Sequence, residues 1–185
     1  MRKSIAAGSL LMSLLLLSSC KKENTETPVE RRDVTNLTLT LVTPGMIDPL
    51  IFSYDDPDGI GGNAPVVTGG TLQSNQVYFA SAEVLNKTVD PTEDITEEIK
   101  QNPSEFQFFY IADNLSFSTE YTDQDENGNP VGLVTALLTD GPGEGKIILN
   151  LTIGLNKSAE GVPDGNIANA GGSTLLQASF PVLIE

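Results

Sequence analysis

The sequence predicts an all-β fold: an antiparallel immunoglobulin-like β-sandwich of about seven or eight strands with one short helix inserted. Three observations predict it. Apolar residues recur at every second position in one segment after another. Gly-, Asn-, Asp- and Pro-rich stretches separate those segments. Only one stretch carries a helical pattern.

The first strand is "TNLTLTLV", where Leu37, Leu39 and Leu41 alternate with Asn36, Thr38 and Thr40. "LIFSY" (50–54), "QVYFASAEVL" (76–85), "EFQFFYIA" (105–112) and "VGLVTALLT" (131–139) follow, each rich in β-branched or aromatic residues. "GKIILNLTIGL" puts Ile147, Leu149, Leu151 and Ile153 on one face. "STLLQASFPVLI" does the same with Leu176, Ala178, Phe180, Val182 and Ile184. Pro181 cannot donate to a ladder, which predicts an edge or a bulge there. The helix is expected in "DPTEDITEEIKQNP". Asp90 would cap it, Pro91 would take its first position, and Glu93 would complete a capping box. Ile95 and Ile99 share a face, and Pro103 stops it.

The N-terminus has its own logic. Arg2 and Lys3 precede "IAAGSLLMSLLLLSS", an uncharged run too short to span a bilayer. It ends in "LSSC", with Ser19 before Cys20, the sole cysteine of the chain. These four residues resemble the lipobox of bacterial lipoproteins. The resemblance implies cleavage after Ser19 and a covalent lipid on Cys20, with palmitate-type acylation of the new amino group. Several acyl chains hold a protein on a membrane far better than one. The expected organisation is a signal peptide (1–19), a lipid anchor and flexible tether (20–33), and a single β-sandwich domain (34–185). The tether, "KKENTETPVERRD", is charged and almost without apolar residues.

Charge narrows the partners. Ten Lys+Arg stand against 25 Asp+Glu, and removing residues 1–19 leaves a net charge of −17. Such a surface argues against nucleic acid and against adsorption to anionic headgroups. With Cys20 lipidated no thiol remains for a disulfide, so stability rests on an apolar core.

Two acidic loops raise the question of calcium. In "YTDQDENGNPVG", Asp123, Asp125, Asn127 and Gly128 fill the first, third, fifth and sixth positions of a calcium loop, and Asn129 could add a backbone carbonyl. Val134 stands where an EF-hand needs glutamate, which excludes that motif and leaves a non-EF site. Asn127–Gly128 is equally a hairpin turn with both residues at positive φ. "YDDPDGIGG" offers Asp55, Asp56 and Asp58 as ligands, and is also a turn sequence. Calcium at either loop therefore stands beside plain turn chemistry. "GPGEG" (141–145) lacks the lysine of a phosphate loop and reads as a hairpin turn.

Catalysis has little support. The chain holds no histidine and no tryptophan. It has no Gly-x-Ser-x-Gly elbow and no zinc ligand set. Carboxylates in exposed loops keep ordinary pKa values, so none is poised as an acid. The aromatics of "FQFFY" are expected in the core.

"DPDGIGG", "EVLN", "EDITEEI" followed by an aromatic strand, and "DENGNPVGL" together resemble a family of small all-β Bacteroidota envelope lipoproteins. Its members are often encoded beside TonB-dependent receptors and sometimes labelled "type 1 periplasmic binding fold superfamily". The likeness spans most of residues 50–155. The periplasmic-binding label does not suit this chain, which lacks alternating strand and helix units. "CKKE" resembles the start of lipoproteins of the same group, and Lys21 in place of aspartate implies the outer membrane. The expectation is a non-catalytic lipoprotein of the cell envelope, anchored to the outer membrane on its periplasmic or outer face. It would act as a binding or accessory module for an outer-membrane receptor protein. The alternatives are a calcium-stabilised structural or adhesion module, and a small-ligand capture protein with a pocket lined by Phe106 or Tyr110.

Overall fold

The computed structural model describes residues 33–45, 47–59 and 61–185. Signal peptide, Ser19, Cys20 and nearly all of the tether lie outside the described residues. The described residues belong to one compact unit.

This unit is an all-β domain of two sheets, mostly antiparallel, with one short helix. Its strands are β1 (Asn36–Val42), β2 (Leu50–Asp55), β3 (Val66–Thr68), β4 (Gly70–Leu72), β5 (Val77–Asn86), β6 (Glu93–Asp94), β7 (Phe106–Asp113), β8 (Phe117–Tyr121), β9 (Val134–Thr139), β10 (Gly143–Ile153) and β11 (Ser173–Ile184). The larger sheet, A, runs β3-β2-β1-β5-β9-β8, with β6 pairing beside β5. The smaller sheet, B, runs β4-β11-β10-β7. The strand count exceeds the expected seven or eight because β3, β4 and β6 are pieces of two or three residues.

Alternation explains what each sheet buries. Leu37, Leu39 and Leu41 of β1 are fully buried, as are Ile147, Leu149 and Leu151 of β10. The two inner faces share one core. Phe52 of β2 meets Phe180 of β11 with ring centroids 5.8 Å apart, and Tyr110 of β7 meets Tyr121 of β8 edge-on at 6.4 Å. Phe106 and Phe108 are sealed in the same core, so the "FQFFY" aromatics are structural and line no opening for a captured ligand.

Two local expectations need correction. The helix α1 covers Ile95–Gln101, not the stretch from Asp90, and its N-cap is Asp94, which accepts a bond from the Glu97 N–H at 3.1 Å. The reason is pairing: Glu93 and Asp94 extend beside Asn86 and Leu85 as β6, so Glu93 cannot close a box around Asp90. Ile95 and Ile99 do share the buried face, and Thr96 ties the helix to β5 by bonding the Val84 N–H at 2.8 Å. The turn at 140–142 is not a hairpin, because β9 belongs to sheet A and β10 to sheet B. The edge expected at Pro181 is there: on one side it pairs with Lys146 of β10, and on the other β4 reaches only Val182–Ile184, leaving β11 unpaired at Pro181. No bulge lies at this residue, the register shift being at Leu151/Thr152.

Candidate functional site

The 122–133 connection between β8 and β9 is built by two aspartates that turn inward. Asp123 accepts three backbone N–H bonds, from Gly132 at 2.7 Å, Leu133 at 2.8 Å and Val134 at 3.2 Å. Those donors belong to the residues entering β9, so the carboxylate does there what a strand partner would do. Asp125 Oδ1 accepts the N–H groups of Asn127 and Asn129, both at 2.9 Å. Gly128 takes φ +81° and donates to the Asp125 carbonyl at 3.0 Å, closing the reverse turn. Asn127 is not at positive φ, so the turn is a five-residue aspartate-organised loop and not the two-residue hairpin expected.

A second loop, 154–172 between β10 and β11, folds over the outer face of sheet B. Val162 and Ala170 cover Phe109 there, and Gln107 donates to the Val162 carbonyl at 3.0 Å. Lys157 reaches from this loop into the first. Its ammonium lies 3.2 Å from Asp125 Oδ2 and donates to the Pro103 carbonyl at 2.8 Å. Both side chains of the pair are almost wholly buried, at 4% and 1% exposed. Burial pushes the Asp125 carboxyl up, but the Asn129 and Asn127 N–H bonds and Lys157 outweigh it and hold the group below its ordinary value. Burial also dominates at Lys157 and lowers its pKa, against the opposing pull of Asp125.

Tyrosines brace the same end. Tyr121 donates to the Phe108 carbonyl at 2.8 Å and Tyr110 to the Gly132 carbonyl at 2.9 Å. Burial pushes the Tyr121 hydroxyl up to about 12. Between the two loops lies an open recess of about 360 Å³, lined by Thr119, Glu120, Tyr121, Gln124, Pro163 and Asp164 among others. It offers an amide, hydroxyls and two carboxylates, a set suited to holding a polar group in place.

The calcium expectation is overturned here. Among the described residues no group of three or more His, Cys, Asp or Glu is placed to hold a metal ion. Asp123 and Asp125 give their oxygens to backbone donors and to Lys157, and a buried ammonium beside Asp125 would repel a cation. Asn129 turns its side-chain amide toward Asp125 at 3.4 Å, and Asn127 is exposed. The other loop disperses its acids in the same way. Asp55 accepts from Asn36 at 3.0 Å and meets Lys87 at 3.6 Å. Asp58 accepts both the backbone and side-chain nitrogens of Asn63, which lower its pKa. Asp56 is buried, with the Tyr54 hydroxyl 3.5 Å from Oδ2 and no partner on Oδ1.

The two acidic loops do lie at one end of sheet A. β2 ends there, and the Leu133 carbonyl accepts from Ala82 near the end of β5. Strands β1 and β5 stand between β2 and β9, however. At strand spacing this is a separation of roughly 14 Å, too far for a shared ion.

Sequence reasoning missed Lys157, Pro163, Asp164 and Gln124. A lysine within "GLNKSAEGVPDG" carries one weak signal, since the loop is otherwise without a base and faces an acidic domain. Comparison with protein-family models, with curated proteins and with solved structures finds no match for this chain.

Proposed function

We propose that this chain is a lipid-anchored protein of the bacterial outer membrane whose domain recognises a partner and performs no catalysis. One observation carries the proposal: a Leu-rich leader ends at Cys20, the chain's single cysteine, followed by a charged tether. A recognition role suits the domain, whose two loops form a cap held by a buried ion pair around an open polar recess. Rigid loops on a two-sheet scaffold lower the ordering cost of binding. The scaffold is read as an immunoglobulin-like sandwich of eight longer strands, with β3, β4 and β6 as short additions.

The partner is an outer-membrane receptor of the TonB-dependent class, a choice that rests on the family resemblance of residues 50–155. Tethering would raise the effective concentration of the domain beside that receptor. Attachment is assigned to Cys20 by the lipobox resemblance of "LSSC". Mass spectrometry of the protein isolated from its own membranes tests the anchor. A mature chain beginning at Cys20 with acyl mass is expected, and an intact leader or an unmodified Cys20 defeats the proposal. Co-purification from mild detergent tests the partner: recovery without any membrane receptor removes the accessory role.

A further inference from the structure

Among the described residues the outer face of sheet A carries exposed apolar side chains, where loop 154–172 covers the outer face of sheet B. Cross-strand register builds an apolar band on it. One row runs Val42, Phe79 and Ala136 to Glu120. The next places Val77 beside Leu138, and a third runs from Ile51 through Thr40 and Ser81 to Val134. Phe79 is 46% exposed, Ile51 47% and Val134 43%. A solvated sheet face is normally polar at these positions, so the cluster of Val42, Phe79, Val77 and Leu138, with Ile51 and Val134 at its margin beyond Thr40 and Ser81, marks a contact surface.

Charge selects the occupant. Glu83 and Glu120 flank the band on the same face, and none of the outward strand residues of sheet A is basic. Of the chain's ten Lys+Arg only Lys87, Lys100, Lys146 and Lys157 belong to the domain, against all but four of the 25 Asp+Glu. A second copy would set Glu83, Glu120 and a strongly acidic surface against themselves. An anionic bilayer would meet the same repulsion. The geometry points to a protein partner that presents an apolar centre flanked by lysine or arginine, docked on Val42, Phe79, Val77, Leu138, Ile51 and Val134. This surface shares Glu120 with the rim of the loop recess but none of the recess's other lining residues, and its use as a partner contact rests on the recognition role above. The apolar centre supplies affinity on desolvation, and the glutamates set orientation and speed encounter.

The test uses the full chain in phosphatidylcholine nanodiscs, with empty nanodiscs as reference. The probe is a helical peptide with a leucine face flanked by lysines, followed by fluorescence anisotropy. Saturable binding is expected. It should weaken at least tenfold in the double variant Phe79→Thr/Leu138→Thr, and severalfold with reduced salt dependence in Glu83→Gln/Glu120→Gln. Gln124→Ala, in the recess, should leave it unchanged. A photoreactive group at the peptide's centre should cross-link to β5 or β9 in the unaltered protein, a result that stands even if the double variant misfolds. Equal binding of a leucine–glutamate peptide, or insensitivity to both face variants, overturns the proposal. So does self-association that the double variant abolishes, which would make the occupant a second copy. Loss of acyl mass at Cys20 would sink the anchored reading without touching these titrations. Failed titrations beside an intact receptor complex would sink this face alone.

Discussion

Lys157 and Asp125 form an ion pair at 3.2 Å that joins two loops and is almost wholly shielded from water. Removing one partner strands the other as a buried, unpaired charge. Lys157→Met should therefore cost about 3–5 kcal/mol in chemical denaturation. The double variant Lys157→Met/Asp125→Asn should be less destabilised than the sum of the singles. Additive losses would show that the pair does not couple the loops.

Acid should act through the same aspartate. The folded pKa of Asp125 is depressed, so its contribution is fully present above the ordinary carboxylate value of about 3.9 and is lost as pH falls through the folded value. The stability gap between the wild type and Asp125→Asn should stay constant from neutral pH to about 5 and narrow below about 4. Denaturant melts along that range measure it, and a gap independent of pH would contradict the assignment.

Asp123 acts as a surrogate strand partner for three N–H groups. Asp123→Ala should destabilise the domain by about 2 kcal/mol and speed amide exchange at Gly132 and Leu133 first. Calcium offers the complementary measurement. With these oxygens already engaged, millimolar calcium should leave the melting temperature of the wild type unchanged.

Gly69 sits where the chain passes over β11. A Cβ there would fall inside the contact distance of the Pro181 carbonyl oxygen, which is backbone and cannot swing aside. Gly69→Ala should cost about 1–3 kcal/mol by thermal melts, through displacement of β4 from Val182–Ile184.

Thr96 both accepts from and donates to the Val84 backbone in a buried position. Thr96→Val keeps the shape and leaves that N–H without an acceptor. A loss of about 1–3 kcal/mol is expected in denaturant melts, with the helix end of β5 exchanging faster.

Long strands were legible because one face is buried and the other wet, and Leu37, Leu39 and Leu41 show the alternation without interruption. β3, β4 and β6 are too short to carry a period, and their existence depends on neighbours distant in the chain. β8 was missed because it is an edge strand whose inward residues stay half exposed. The acidic spacing in 121–132 was visible, but its meaning was not. Asp123, Asp125 and Asn127 alternate as cation ligands do, yet a carboxylate that satisfies loop N–H groups follows the same spacing. Only the position of Lys157, brought from a remote loop, separates the two. The inward aromatics were read as core and are core, whereas the outward apolar residues of β5 and β9 were hidden in runs that looked uniformly apolar.

The parallel pairing of Gly70–Leu72 with Val182–Ile184 has a consequence for the chain as it is made. β4 has no seat in sheet B until β11 exists, and β7 and β10 alone leave Phe180's place beside Phe52 empty. A nascent polypeptide that has not reached β11 thus holds sheet B only as the β7–β10 pair, with part of the greasy side of sheet A uncovered. Closure of the core waits on β11, whose β4 and Phe52 partners lie far back along the chain, and pairing over such separations is slow to form.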